Sequence, residues 1–386
     1  MQNEIPLSLY VHIPWCVKKC PYCDFNSHEK NKSFDEENYV KALLIDLDNE
    51  FINCSERKLS SIFFGGGTPS LFSADAIYQI IEHAKKLFKF DAIEITLEAN
   101  PGTFEQEKFN GFNQAGINRL SIGIQSFNAD HLKTLGRIHD AKQALQAVET
   151  ARLAGFENIN LDLMFGLPNQ SIEQAISDVS IATGFKVPHI SHYQLTIEPN
   201  TFFHIHTPTL PEIDLIWDMQ TQCQTLLSEN KYKHYEISAY SQTNKQSTHN
   251  VNYWQFGDYI GIGAGAHGKL TNLNSSRADE NNLIITRRWK HRQPEQYIRK
   301  TLTGNAISGE QQLKSSDIAF EFLLNALRLK DGSDVKTLER NTGLKYQALE
   351  TAVKDVDAEL LLMNKNQITT TDKGFLFLNE ILDKLL

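Results

Sequence analysis

Three of the five cysteines in this 386-residue chain fall in one run, Cys16-Val17-Lys18-Lys19-Cys20-Pro21-Tyr22-Cys23. Pro21 bars a regular helix across it, so the run reads as a loop whose thiolates converge on one metal centre. The C-x3-C-x2-C spacing supplies three ligands, where a closed structural zinc site takes four. An iron–sulfur cluster on three cysteines would instead keep one iron open to a small molecule. His12 and His28 flank the run and would complete a zinc site, so the residues alone leave both metals open.

Other residues carry weaker signals. Gly65-Gly66-Gly67-Thr68-Pro69 lets backbone N–H groups approach a ligand but lacks the Lys-Ser/Thr of a phosphate-binding loop. Glu98 and Asp162 suit hydrogen bonds from ribose hydroxyls or an ammonium group, and each alone reads equally as a capped or solvated carboxylate. Gly263 to Gly268 matches G-x-G-x-x-G literally, but no helical pattern follows, so a glycine-rich turn near the site is the expectation. His249, Tyr253 and Trp254 form a polar–aromatic group. A neutral imidazole suits haem iron and flat rings suit a porphyrin, while the plainer alternative is a hydrogen-bonded histidine among core aromatics.

These residues need positioning elements. Six apolar runs read as strands: Leu7–Ile13, Ser61–Phe64, Ala92–Leu97, Arg119–Ile124, Asn158–Met164 and His189–Thr196. Helical periodicity fills the gaps at Asp35–Phe51, Ala74–Phe88, Glu105–Ala115, Ala141–Ala154 and Ile172–Thr183, and again at Ile213–Ser228. Alternating strands and helices predict an α/β fold with a parallel sheet, a partial (β/α)6 barrel of the triose-phosphate-isomerase type. Gly116, Gly155 and Gly184 follow helix ends where a left-handed cap is expected. The cysteines, the glycine triplet, Glu98, Gln125 and Asp162 all fall at or near strand C-termini, where such folds gather their chemistry.

Beyond the barrel, residues 235–270 read as strand and turn, and 271–295 as a polar surface loop. From Ser315 helices predominate, at Ile318–Leu329, Val335–Asn341, Tyr346–Leu361 and Lys373–Leu385, with a short strand at Gln367–Thr371. That order predicts a winged-helix-like module. The expected division is a barrel at 1–235, an extension at 236–312 and the module at 313–386.

A net charge of −9 argues against nucleic-acid binding through an extended basic face, and the module is itself mildly acidic. No apolar run reaches membrane-spanning length. Isolated Cys54 and Cys223 and an odd cysteine count argue against a disulfide framework. A cytoplasmic location follows, with peripheral membrane contact left open.

The cysteine spacing, with Tyr22 just before the last cysteine, resembles the signature of radical S-adenosylmethionine proteins. That resemblance implies a 4Fe-4S cluster on Cys16, Cys20 and Cys23 whose open iron binds S-adenosylmethionine and cleaves it reductively. From Tyr10-Val11-His12-Ile13-Pro14-Trp15-Cys16 to the C-terminal helices, the chain is similar to the branch containing oxygen-independent coproporphyrinogen III dehydrogenase and a group of haem chaperones. Carried over by position, Tyr10 and Tyr22 would flank S-adenosylmethionine, and Gly66, Gly67, Thr68 and Glu98 would meet it. Gln125, Arg137 and Asp162 match further positions that contact this cofactor in the dehydrogenase. The dehydrogenases carry another cysteine two places after the third, where Phe25 stands here. His249-Asn250-Val251-Asn252-Tyr253-Trp254 fits the H-N-x-x-Y-W pattern of the chaperones. The resemblance thus implies binding of haem, with His249 or His267 as candidate ligands, and its delivery to acceptor proteins. The dehydrogenase activity is the second reading.

Overall fold

The computed structural model describes residues 5–30, 34–54, 57–103, 106–273 and 283–385. Six strands lie where the sequence predicts them: β1 (Leu7–Ile13), β2 (Leu59–Gly66), β3 (Glu94–Ala99), β4 (Arg119–Gln125), β5 (Asn158–Phe165) and β6 (His189–Gln194). They pair in parallel in chain order and the sheet stays open. Past β6 come β7 (Lys233–Glu236) and β8 (Ala239–Ser241), both antiparallel. On the other side β9 (Asp258–Ile262) lies parallel to β1, followed by antiparallel β10 (His267–Leu273), β11 (Leu283–Lys290) and β12 (Ile307–Gln312).

Helices α1 (Glu36–Phe51), α2 (Ala74–Phe88), α3 (Gln106–Gln114), α4 (Ala129–Thr134), α5 (Ala141–Leu153) and α6 (Ile172–Gly184) follow the strands. Asp35, Ser73, Asp140 and Ser171 cap their N-termini, the last two in full capping boxes. Side chains alternate across each strand. Leu9, Val11, Ile62, Leu120, Ile122 and Leu161 face the helices and are wholly buried, each burial contributing about 1.5–3 kcal/mol. Their neighbours Tyr10, Phe63, Ser121, Asn160 and Asp162 point the other way, into a cavity.

Four expectations need correcting. Gly184 ends α6 without a left-handed turn, which Lys186 makes instead (φ 53°). The 235–270 region holds a helix as well as strands: after α7 (Phe202–Ile205) and α8 (Ile213–Glu229), helix α9 spans Thr248–Trp254 and carries the His249 motif. Much of the expected 271–295 loop is strand, with Asn272 paired to Ile284, while Asn274 to Ser276 lie outside the described residues. The expected helix Tyr346–Leu361 stops at Ala352.

After α10 (Pro294–Leu302), the C-terminal part runs α11 (Ser315–Ala326), β13 (Ser333–Asp334), α12 (Val335–Thr342), α13 (Tyr346–Ala352), β14 (Leu361–Met363), β15 (Gln367–Thr370), α14 (Asp372–Leu376) and α15 (Leu378–Leu385). Helices and a strand ribbon in this order give the winged-helix-like arrangement the sequence predicts. Phe322, Leu338, Leu349, Ile368 and Ile381 form its core, which Phe256 and Ile285 of the barrel side join. Two buried ion clusters tie the sheet extension to the barrel, Asp258 with Arg57 and Lys269, and Lys290 with Asp46 and Glu50. Among the described residues no helix is long and apolar enough to cross a membrane.

Candidate functional site

The cysteine loop leaves the C-terminal end of β1 and is pinned by backbone bonds. His28 N–H donates to Pro14 O (2.7 Å) and Lys30 N–H to Cys16 O (2.7 Å), so a two-residue bridge closes the loop. Thr68 N–H donates to Trp15 O (2.7 Å) and Gly67 N–H to Ile13 O (2.8 Å), which ties the glycine triplet to the same stretch. The fit is close enough that a Cβ on Gly67 would lie 2.6 Å from Trp15 O, a gap only glycine tolerates. Asn26 donates to the carbonyls of Ala264 and Arg292, both at 2.9 Å, so the glycine-rich turn predicted near the site does abut the cysteine loop.

Cys16, Cys20 and Cys23 are free and half-buried, and all three border one cavity of about 520 Å³. Burial pushes the Cys16 thiol up to about 11, against a hydrogen bond with Thr68 that works the other way. Arg137 Nη1 donates to Cys20 Sγ (3.5 Å), and its Nη2 donates to Gly123 O (2.8 Å) and to Asn100 Oδ1. Asn100 Nδ2 in turn donates to Thr68 Oγ1 (2.9 Å). A fixed cation beside three thiols on one loop is a donor set that fits an anionic iron–sulfur group. The zinc alternative loses its partners. His12 spends Nδ1 on Tyr10 OH (3.0 Å) and Nε2 on Asn26 O (2.9 Å), and His28 does not border the cavity. Among the described residues no three His, Cys, Asp or Glu side chains close on a position for a single metal ion.

Tyr10, Tyr22, Gly66, Gly67, Thr68, Glu98, Gln125, Arg137 and Asp162 all border this cavity, as does Phe25, 63% exposed at the mouth. Sheet register explains the gathering: Glu98 lies beside Ser121, Ser121 beside Asn160, and Asp162 beside Ser191. Glu98 accepts from Gly66 N–H (3.1 Å). Burial, and then the neighbouring Asp162, hold its carboxyl up at about 8. Burial also raises Asp162, against hydrogen bonds from Asn160 Nδ2 (2.7 Å) and Ser121 Oγ (3.1 Å). Sequence reasoning missed Ser121, Asn160 and the buried Arg119, whose signal was a polar residue at every second strand position.

The floor is made by α9. His249 is buried, stacked on Phe63 (centroids 4.9 Å apart), and burial lowers it to about 3, so it is neutral. Ser61 Oγ donates to Ser8 Oγ (2.8 Å) and therefore accepts from His249 Nδ1–H (3.1 Å). That fixes the tautomer with a bare Nε2, which has no hydrogen-bond partner among the described residues. Asn250, Tyr253 and Trp254 also line the cavity. His267 does not; it is exposed and stacked on Trp289.

The chain matches the Radical SAM superfamily over residues 10–179. The fold agrees with that class, since coproporphyrinogen III oxidase (HemN) from Escherichia coli superposes with a TM-score of 0.81 at 22% identity, covering 99% of this chain and 90% of that one. The heme chaperone HemW of Haemophilus influenzae is 46% identical, covering 99% of this chain and 98% of the relative, and that of Escherichia coli is 42% identical with the same coverage. The chain belongs to the HemW family of radical SAM proteins.

Proposed function

We propose that this protein is a haem chaperone that uses a 4Fe-4S cluster and S-adenosylmethionine, and delivers haem to acceptor proteins. The observation that carries the reading is three free thiols at the mouth of the cavity whose floor is the H-N-x-x-Y-W helix, in a chain similar over its full length to proteins named heme chaperone. Cys16, Cys20 and Cys23 would hold the cluster. When bound, it supplies an open iron and an electron for S-adenosylmethionine. Arg137 offsets charge at Cys20. Glu98 would accept from the amino group of S-adenosylmethionine, and Asp162 from its ribose. The division at 1–235, 236–312 and 313–386 gives the C-terminal module the part of covering or releasing haem. Phe25, an apolar side chain where the dehydrogenases carry a cysteine, speaks against porphyrinogen decarboxylation.

Titration of the anaerobic protein with hemin, with coproporphyrinogen III followed in parallel, tests the proposal. Saturable one-to-one haem binding without loss of the porphyrinogen is expected. Turnover to protoporphyrinogen, or no haem binding, would overturn it.

Glu98 predicts a pH dependence. An ammonium group is best held by a carboxylate, and a carboxyl titrating at about 8 must first release its proton. Affinity for S-adenosylmethionine therefore rises with pH towards that value. Equilibrium dialysis under anaerobic conditions should give roughly tenfold tighter binding at about pH 7.5 than at about pH 6, a range in which the ligand's α-amino group, titrating at about 7.7–8.0, is still mostly an ammonium. The Glu98→Gln variant should give a flat profile over the same range. Parallel profiles for the two proteins would remove Glu98 from the amino-group site.

A further inference from the structure

A second cluster of chemistry lies outside the cavity, on the single turn α7. Thr201 caps it, accepting from His204 N–H (3.1 Å) while donating to Glu198 O (2.7 Å), so the turn is built rather than slack. Its inner side chain, Phe203, is buried and packs towards Tyr22 of the cysteine loop (ring centroids 6.4 Å apart). Phe203 N–H also donates to Pro21 O (2.9 Å), which fixes α7 beside the cluster loop. The outer face is unusual. Phe202 and Ile205 are 59% and 72% exposed, and at i, i+3 and i+4 they share that face with exposed His206. The His206 imidazole packs on the Phe202 ring (centroids 4.5 Å apart). Among the described residues neither ring nitrogen of His206 meets a protein hydrogen-bond partner.

We propose that this face is where haem docks, with His206 as an axial ligand and Phe202 and Ile205 as the bed for the macrocycle. The inference rests on the haem-chaperone reading and names its site. Imidazole nitrogen is a common haem ligand, and exposed apolar side chains beside it suit a flat apolar ring. The cavity is the less suitable place. Its 520 Å³ is the room of one ligand site, and a cluster with S-adenosylmethionine would occupy that room. His249 Nε2 lies beneath that space, wholly buried. Delivery also favours the surface, because an acceptor's ligand must reach the iron as the donor's lets go, and only the difference in affinity drives the exchange.

Hemin titration of the anaerobic full-length protein, followed by the Soret band, tests this. His206→Ala and His204→Ala/His206→Ala should lose the histidine-ligated spectrum and weaken binding about tenfold or more. Phe202→Asp/Ile205→Asp should weaken binding with the ligation signature kept in the haem that does bind. These side chains are exposed, so folding should hold, and unchanged cluster absorption and S-adenosylmethionine binding verify it. Wild-type affinity and spectrum in all three variants would overturn the site while leaving the haem reading standing. So would loss of the spectrum in His249→Ala or His267→Ala alone. Absence of haem binding by the wild-type protein would overturn both.

Discussion

Asp258→Ala is expected to cost a large share of the stability of the whole chain. Asp258 is fully buried at the start of β9 and accepts four hydrogen bonds. Arg57 Nη1 (2.6 Å) and Thr271 N–H (2.9 Å) donate to Oδ2, and Lys269 Nζ (2.7 Å) and Thr271 Oγ1 (2.8 Å) to Oδ1. Removing the carboxylate leaves Lys269 and Arg57 charged, buried and uncompensated. Breaking one such pair costs about 3–5 kcal/mol, against a total of about 5–15 kcal/mol for a typical domain. Urea unfolding at neutral pH should show a much lower midpoint for the variant or no folded protein. Replacing all three, as Arg57→Met/Asp258→Leu/Lys269→Met, should recover part of the loss, because no stranded charge remains. The pH dependence has a definite sign. Burial alone would raise the Asp258 carboxyl, but Lys269 and Arg57 outweigh it and hold it below the ordinary range. A depressed folded value means the stabilisation is present above the unfolded value, about 4, and is lost as pH falls through the lower folded one. The gap between wild type and Asp258→Ala should therefore narrow on acidification below about pH 4. An unfolding free energy for the variant within about 0.5 kcal/mol of wild type, the range of an ordinary surface change, would refute this account.

Neither partner of that cluster was legible in the sequence. Asp258, Lys269 and Arg57 are ordinary polar residues along the chain, and only β1, paired with β9 on one side and with β2 on the other, brings Arg57 to the other two. The first six strands were legible because both faces of each are enclosed, so their outward sides read as unbroken apolar runs. The inner faces carried the site, and there the same periodicity explains why Glu98, Ser121, Asn160 and Asp162 collect in one wall. What local pattern misses is structure made by distant partners. The strand at Leu283–Lys290 lies in the stretch that reads as a polar loop, yet it pairs along its length with His267–Leu273. Helix α9 is short and rich in Asn, Thr and aromatic residues, poor helix formers that tertiary packing overrides. Its Ser247 cap and the contact of His249 with Ser61 place it beneath the sheet. His267 sits next to a glycine turn that does touch the cysteine loop, but as the first residue of β10 it points its ring to solvent and Trp289.

Replacing Cys16, Cys20 and Cys23 together with alanine is expected to abolish bound iron and sulfide and leave the fold intact. The loop that carries them is held by backbone hydrogen bonds at Pro14, Trp15, Cys16 and His28, and by Asn26, none of which uses a thiol. Each half-exposed substitution should therefore change stability by no more than about 0.5 kcal/mol. Arg137 loses one contact, to Cys20, and keeps Asn100 and the Gly123 carbonyl. Loss of the metal and loss of the fold are thus separable. Visible absorption in the thiolate–iron charge-transfer region, together with iron and sulfide assays, reads the first, and circular dichroism with thermal unfolding reads the second. Cys223→Ala is the control, a wholly buried thiol far from the mouth in sequence and absent from the cavity lining. It should lose some stability to the small void it leaves and keep its iron. Stoichiometric iron and sulfide in the triple variant would break the link between this loop and the cluster. Zinc in place of iron in the anaerobically prepared wild type would do the same, and would demand a fourth ligand that His12, with both ring nitrogens engaged, is not free to supply.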